Sequence, residues 1–247
     1  MSAGADNWFS SGGRTLRGSG DIVEEVRPVD EFSRIRLACS ADISVRIGET
    51  RSLKVIADDN LMEYVITEVA DRGTLFVDFD RSISSRQGIL LEITVPDLAG
   101  IEVDGSGDFE IEGLNGDRFE VNVDGSGDVD VFGTAKIVEI FLDGSGDITF
   151  EGLAAESLEL RSRGSGDIRL RGDARKVDFS LAGSGDVDAR RLVAADAYVR
   201  VTGSGDASVH ATESFDGETN GSGDVNVYGD PRQFDRDERG SGDIRRR

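Results

Sequence analysis

The four letters GSGD return at residues 105, 125, 144, 164, 183, 203, 221 and 240, in steps of 20, 19, 20, 19, 20, 18 and 19. A self-similar period of about 20 residues restricts the chain to stacked, quasi-one-dimensional architectures, because each unit can bury its apolar face only against its neighbours. Laid under one another, the units form columns. Two places before the motif stand Val103, Val123, Leu142, Ser162, Leu181, Val201, Thr219 and Glu238, and four places before it Ile101, Val121, Ile140, Leu160, Phe179, Val199, Gly217 and Arg236. Six places before it the column runs from Ala99 and Phe119 to Phe215 and Phe234, and after the motif Phe109, Val129, Ile148 and Ile168 open another. Apolar residues at every second position predict strands with one buried face.

Each coil is thus expected to hold two short strands joined by GSGD, with a looser second corner reading EGLNGD, VFGTAK, EGLAAE and RGDARK in successive coils. Glycine in the turn allows positive φ and close backbone approach. Short strands with Gly-rich turns also fit an antiparallel meander. The column chemistry favours parallel stacking: every strand before GSGD resembles every other such strand, so like lies on like. The expected fold is all-β, a parallel β-helix (solenoid) with about 19–20 residues per coil.

Three regions follow. Residues 1–29 read as a tail or edge segment around Trp8 and Phe9, with an isolated GSGD at Gly18. Residues 30–104 read as irregular N-terminal coils that cap the solenoid, and 105–247 as its regular part, continuous with them. In FSRIRLACSADISVRIG, Ile35 and Leu37 occupy the columns before a turn, CSAD replaces GSGD, and Ile43 and Val45 follow. Then the period lapses: LKVIA, VITEVADRGTLFVDFD and GILLEITV read as strands and DDNLMEY as a helical turn. At the other end Gly217, Thr219, Arg236 and Glu238 interrupt the apolar columns, which gives a polar end that resists edge-to-edge aggregation.

Composition narrows the function. With 49 acidic against 28 basic residues the net charge is −21, which repels phosphate backbones and anionic lipid surfaces and argues against a nucleic-acid partner. No apolar run is long enough to span a bilayer as a helix, so no membrane insertion of that kind is expected. The single cysteine, Cys39, and single histidine, His210, cannot make a disulfide or a Cys/His zinc cluster, and read as a small buried residue and a surface residue. Arg161, Arg163, Arg169, Arg171, Arg175 and Lys176 gather in one coil and read as a solvated face paired with acidic neighbours.

The clearest candidate site is the column of carboxylates. Three consecutive coils read DGSGD, placing Asp104, Asp108, Asp124, Asp128, Asp143 and Asp147 along one edge. Like charges about 4.8 Å apart repel by roughly 0.9 kcal/mol even in bulk water. Turn amides, the hydroxyls of Ser106, Ser126 and Ser145, or bound cations could offset this. Calcium, with six to eight oxygen ligands, is the cofactor such a pile could hold. Calcium β-rolls carry their Asp turns in tandem nonapeptides, whereas here only one corner per coil is regular, so hydrogen-bonded structural turns are the first reading.

The segments FSRIRLACSADISVRIG, LKVIADDNLMEYVITEVADRGTLFVDF and ITVPDLAGIEVDGSGD, together with the GSGD coils, resemble the bacterial head GIN domain, or putative auto-transporter adhesin, family. The resemblance runs from about residue 30 to 247. It implies a parallel β-helix, right-handed, in an exported bacterial protein of periplasmic, outer-membrane-associated or extracellular location, and it offers no catalytic residues to carry over. The opening MSAGADNWFSSGG lacks the basic-then-apolar form of a secretory signal, so the expectation of export comes from the resemblance alone. The leading expectation is a non-enzymatic, adhesin-like binding or structural module whose flat faces meet a glycan or a protein. A polysaccharide-active β-helix enzyme and a self-associating envelope scaffold are the alternatives.

Overall fold

The computed structural model describes residues 15–70 and 73–247. Trp8, Phe9 and Arg72 lie outside the described residues. In chain order the strands are β1 (Leu16–Arg17), β2 (Ile22–Arg27), β3 (Arg34–Leu37), β4 (Asp42–Ile47), β5 (Ser52–Asp58), β6 (Val65–Ala70), β7 (Thr74–Phe79), β8 (Ile83–Ser84), β9 (Leu90–Val95) and β10 (Gly100–Val103). The regular coils follow as β11 (Phe109–Val123), β12 (Val129–Leu142), β13 (Ile148–Ser162), β14 (Ile168–Leu181), β15 (Val187–Val201) and β16 (Ala207–Thr219), and the chain closes with β17 (Val225–Tyr228), β18 (Gln233–Glu238) and β19 (Ile244–Arg246). Met62–Tyr64 form a single 3-10 turn.

From β10 onward every pairing is parallel, and the stack makes a β-solenoid of about seven turns. The columns read in the sequence are the observed register. Val121 lies on Ile140, Ile140 on Leu160, Leu160 on Phe179 and Phe179 on Val199, all of them fully buried. Ser162 fits between Leu142 and Leu181 in its column, itself buried. The coil with CSAD stacks in register too: Ile35 pairs with Ile101, Leu37 with Val103, Ile43 with Phe109 and Val45 with Ile111.

One sequence expectation is corrected and another is narrowed. First, a coil is one long bent strand rather than two short ones, since β11 runs without a break from Phe109 to Val123. The second corner keeps its ladder and bends at a bulge, where Gly113 (φ 78°) and Gly133 (φ 146°) take up backbone conformations that L side chains resist. This corner also contributes to the core. Leu114, Leu153 and Leu192 point inward in the 20-residue coils, and they lie in register beside Gly133 and Gly172 of the 19-residue coils. A Cβ on Gly133 would come within 2.2 Å of the Leu114 carbonyl oxygen, so the alternation of step length is an alternation of Leu and Gly on one inner edge.

Second, the GSGD glycines beyond residue 100 do not use positive φ. They are glycine because the turns stack backbone on backbone: a Cβ on Gly125 would sit 1.9 Å from the Gly105 carbonyl oxygen, and one on Gly127 2.0 Å from that of Gly107. The forbidden Cβ points toward the preceding coil. Cys39 and Ala41 are therefore tolerated in CSAD, beneath which the chain between Phe79 and Ile89 follows a different path, meeting this coil through Ala38 N–H to Val77 O and Asp42 N–H to Ile89 O.

The first coil is sandwiched between later pieces of chain. β7 runs parallel under β3 and β9 under β4; then β6 pairs antiparallel with β7, β5 with β9, and β2 with β5. The early GSGD does not join the turn column. Gly18 donates to Ser84 O, and Gly20 donates to the buried Asp58 carboxylate at 2.7 Å. At the far end Arg236 donates to Ile244 O at 2.7 Å and Glu238 accepts from Ile244 N–H at 2.8 Å, so charged side chains satisfy the backbone where the core tapers.

Two stability predictions follow from the stack. Ile140→Ala is expected to cost on the order of 2–5 kcal/mol in denaturant unfolding, as for other large-to-small changes in a filled core. Asp130→Ala, on the outer alternation of the same coil, should fall within about 0.5 kcal/mol of wild type. Gly144→Ala should destabilise by about 1–3 kcal/mol through overpacking, because its methyl would meet the Gly125 carbonyl oxygen at 1.9 Å. Equal losses at Ile140 and Asp130, or a neutral Gly144→Ala, would contradict the assigned inside and the turn contact.

Candidate binding surface

The eight motif aspartates stand in one column and form a ladder of hydrogen bonds. Asp108 Oδ1 accepts the backbone N–H of Asp128 at 2.8 Å, Asp128 Oδ1 that of Asp147 at 2.8 Å, and Asp147 Oδ1 that of Asp167 at 2.8 Å. The series continues through Asp186, Asp206 and Asp224 to Asp243, and it begins one coil lower where Asp42 accepts from Asp108 N–H at 3.1 Å. The amide that the next coil donates to the carboxylate below it offsets the repulsion of the stacked charges. The serines do not take this part: Ser106, Ser126 and Ser145 are exposed, and only their backbone N–H groups join the turn ladder.

The outer aspartates are placed differently. Asp104 accepts from Arg36 at 2.7 Å, and Asp143 takes both arms of Arg163 at 2.9 and 3.0 Å, while Asp124 is exposed between them. Among the described residues no three His, Cys, Asp or Glu side chains converge to hold a metal ion. Calcium at Asp104, Asp108, Asp124, Asp128, Asp143 and Asp147 is a proposal that a thermal melt decides. A Tm that rises with calcium over magnesium or EDTA in the wild type, and not in Asp124→Asn/Asp128→Asn, would carry it; coincident melts would leave the column as a hydrogen-bond ladder alone.

The basic coil is mostly neutralised by its neighbours. Arg161 pairs with Glu159 and lies over the Phe141 ring, Arg169 reaches Asp147 at 3.1 Å and Asp167 at 3.4 Å, and Arg171 pairs with Glu151. One coil on, Arg190 grips Asp188 with two bonds at 2.8 and 2.5 Å and holds its carboxyl below the usual carboxylate range. These groups border two shallow polar clefts on the face that follows the turns. One, about 310 Å³, lies among Arg169, Arg171, Arg190 and Arg191; the other, about 340 Å³, runs past Asp188 to Asp206, Ser208 and Asn226. The sequence showed the Arg run of β14, but not that Arg190 and Arg191 of β15 join it, because a bulge shifts the register between these strands.

His210 lies on the outer alternation, with Nδ1 3.4 Å from Arg190 O. Cys39 is half-buried rather than fully buried, and burial pushes its thiol up to about 11, so it stays protonated and unreactive near neutral pH.

Together these features describe a parallel β-solenoid that presents repeated polar side chains on its outer faces. The family model described as "Putative auto-transporter adhesin, head GIN domain" matches residues 31–231, and the chain belongs to that family. Among solved structures, a putative adhesin of Bacteroides fragilis NCTC 9343 is 26% identical with a TM-score of 0.71, and a putative lipid binding protein of Parabacteroides distasonis ATCC 8503 is 26% identical with a TM-score of 0.84. A putative adhesin of the latter organism, 24% identical, shares the fold with a TM-score of 0.89. Each comparison covers 94% of this chain and 100% of the other. No curated protein sequence matches the chain. No helix among the described residues is long and apolar enough to cross a membrane.

The ladder has a pH signature at its C-terminal end. The Asp243 N–H, with Arg245 beside it, holds Asp224 below the usual carboxylate range. A carboxyl whose folded pKa is depressed contributes stability above its unfolded pKa and loses it as pH falls through the folded value. Asp224→Asn keeps Oδ1 as an acceptor and removes the charge. It should lower the unfolding midpoint at about pH 7 and converge with wild type at acid pH below the folded value, where both are neutral. An equal deficit at both pH values would mean that charge is not what Asp224 contributes.

Proposed function

We propose that this chain is a non-enzymatic binding module of an exported or cell-envelope protein, and that the outer faces of its solenoid meet a glycan or protein surface. The observation that supports this most is the division of each coil. Inward positions fill a closed apolar core, while outward positions repeat at coil pitch as a fixed array of carboxylates, hydroxyls and guanidinium groups. Side chains held by a ladder lose little further freedom when a ligand arrives, which favours binding over the entropic cost of ordering a surface. Shallow polar clefts suit side-on contact with an extended partner, the usual mode of solenoid faces. Export is inferred from the family's auto-transporter adhesin description.

The likeness to a putative lipid binding protein raises an apolar ligand as a second reading. The charged lining of both clefts supports the polar partner instead.

The full chain, labelled and applied to an array of glycans and matrix proteins with phospholipid vesicles in parallel, is expected to bind a discrete subset of the glycans or proteins. It should release no reducing ends from the polysaccharides it binds. Binding to vesicles alone, turnover of a polysaccharide, or an empty array would each overturn the reading.

A further inference from the structure

Cross-strand neighbours on an outward face are closest at directly opposed positions, where like charges destabilise a sheet. Among the described strands one such position opposes two cations: Arg171 of β14 is in register with Arg191 of β15. Elsewhere the registered partners of arginine and lysine are acidic, polar, small or apolar, as with Glu112 opposite Arg46, Ser157 and Asp196 either side of Lys176, and Glu92 opposite Lys54. Arg171 is balanced from below by Glu151, and Arg190 by Asp188, but Arg191 has no carboxylate partner among the described residues. On a chain with a net charge of −21, an opposed arginine pair with one member unbalanced marks a place for an anion.

The surroundings narrow which anion. The cleft at Arg191 continues past the Arg169, Asp188 and Arg190 group into the second cleft, where Asp206, Ser208 and Asn226 are presented. A densely charged polyanion would meet the carboxylates of Asp167, Asp186, Asp188 and Asp206 that line the second cleft. A ligand with one carboxylate among several hydroxyls meets both halves favourably. Its carboxylate takes guanidinium N–H groups, its hydroxyls donate to Asp206, and Ser208 and Asn226 can donate or accept.

We propose that this cleft is a subsite for an acidic sugar, a uronate residue set between neutral ones in a glycan chain, with Arg171 and Arg191 holding its carboxylate. The proposal rests on the glycan-binding reading above and names the ligand class for one face. The β15 bulge positions it: five residues of β15, Ala189 to Val193, span the single step that β16 makes from Val209 to His210, and this pushes Arg190 and Arg191 out beside Arg171.

The test uses the full chain and a hyaluronan hexasaccharide, which alternates glucuronate with a neutral amino sugar, against its carboxyl-reduced form and a heparin hexasaccharide. Titration calorimetry is expected to show binding of the first, loss of at least about tenfold on carboxyl reduction or in Arg191→Gln, and no gain with heparin. Arg175→Gln, an exposed change in the same coil and outside the cleft, should bind as wild type does. Equal affinity for the carboxyl-reduced form, stronger binding of heparin, or an unchanged Arg191→Gln would overturn the uronate subsite. No hexasaccharide binding beside a positive glycan or protein array would do the same while leaving the general reading intact, whereas an empty array removes both.

Discussion

The contact on which this structure depends is the one between consecutive GSGD turns. From Gly125 onward each turn glycine presents its missing Cβ to the carbonyl oxygen of the glycine one coil back, which a side chain would approach to about 2 Å. That contact brings the coils to strand spacing at the corner as well as along the ladders. It lets Gly and Ser amides bond directly to the turn beneath, and puts each motif Asp amide against the carboxylate below. Parallel register follows, because only copies of the same turn nest this way. So does the inward and outward alternation, since a register slip of one residue would reverse every column.

Such a stack has no intrinsic end, and the two ends are closed by different means. On the N-terminal side the chain leaves the repeat, lays β7 and β9 beneath the first coil and then pairs antiparallel through β5, β6 and β2. Antiparallel strands cannot propagate the coil, so the change of direction ends the pattern. On the C-terminal side the columns turn polar, and Arg236 and Glu238 bind the backbone of Ile244. Charged groups along an edge discourage a further chain from continuing the ladder.

The outward surface shows how a strongly acidic chain tolerates stacked charge. Motif carboxylates are compensated by amides of the next coil, and most described arginines by a carboxylate on their own strand or on a neighbouring coil, as Arg190 is by Asp188, Arg171 by Glu151 and Arg118 by Glu139. Exposed pairs of this kind contribute little stability each. Their consequence is positional: they hold guanidinium and carboxylate groups in a fixed pattern, in which Arg191 directly opposes a second arginine, Arg171.

The repeat length, the columns and the placement of Ile35, Leu37, Ile43 and Val45 in the first coil were legible in the sequence, because period-two burial and a recurring turn write themselves into residue type. The carboxylate column was legible as a column too. Its chemistry was not, since whether an Asp meets a cation or an amide depends on the offset between neighbouring turns, which only the stack sets. The same holds for the turn glycines: sequence allowed positive φ or close approach, and the structure uses close approach. The inner leucines at 114, 153 and 192 were signalled by the alternation of 20- and 19-residue steps, yet their inward direction depends on bulges that shift the register. A cap was legible in the lapse of the period over residues 30–104, but its antiparallel pairing, like the opposition of Arg171 and Arg191, arises from a three-dimensional register that no local pattern encodes, so tertiary structure alone decided it.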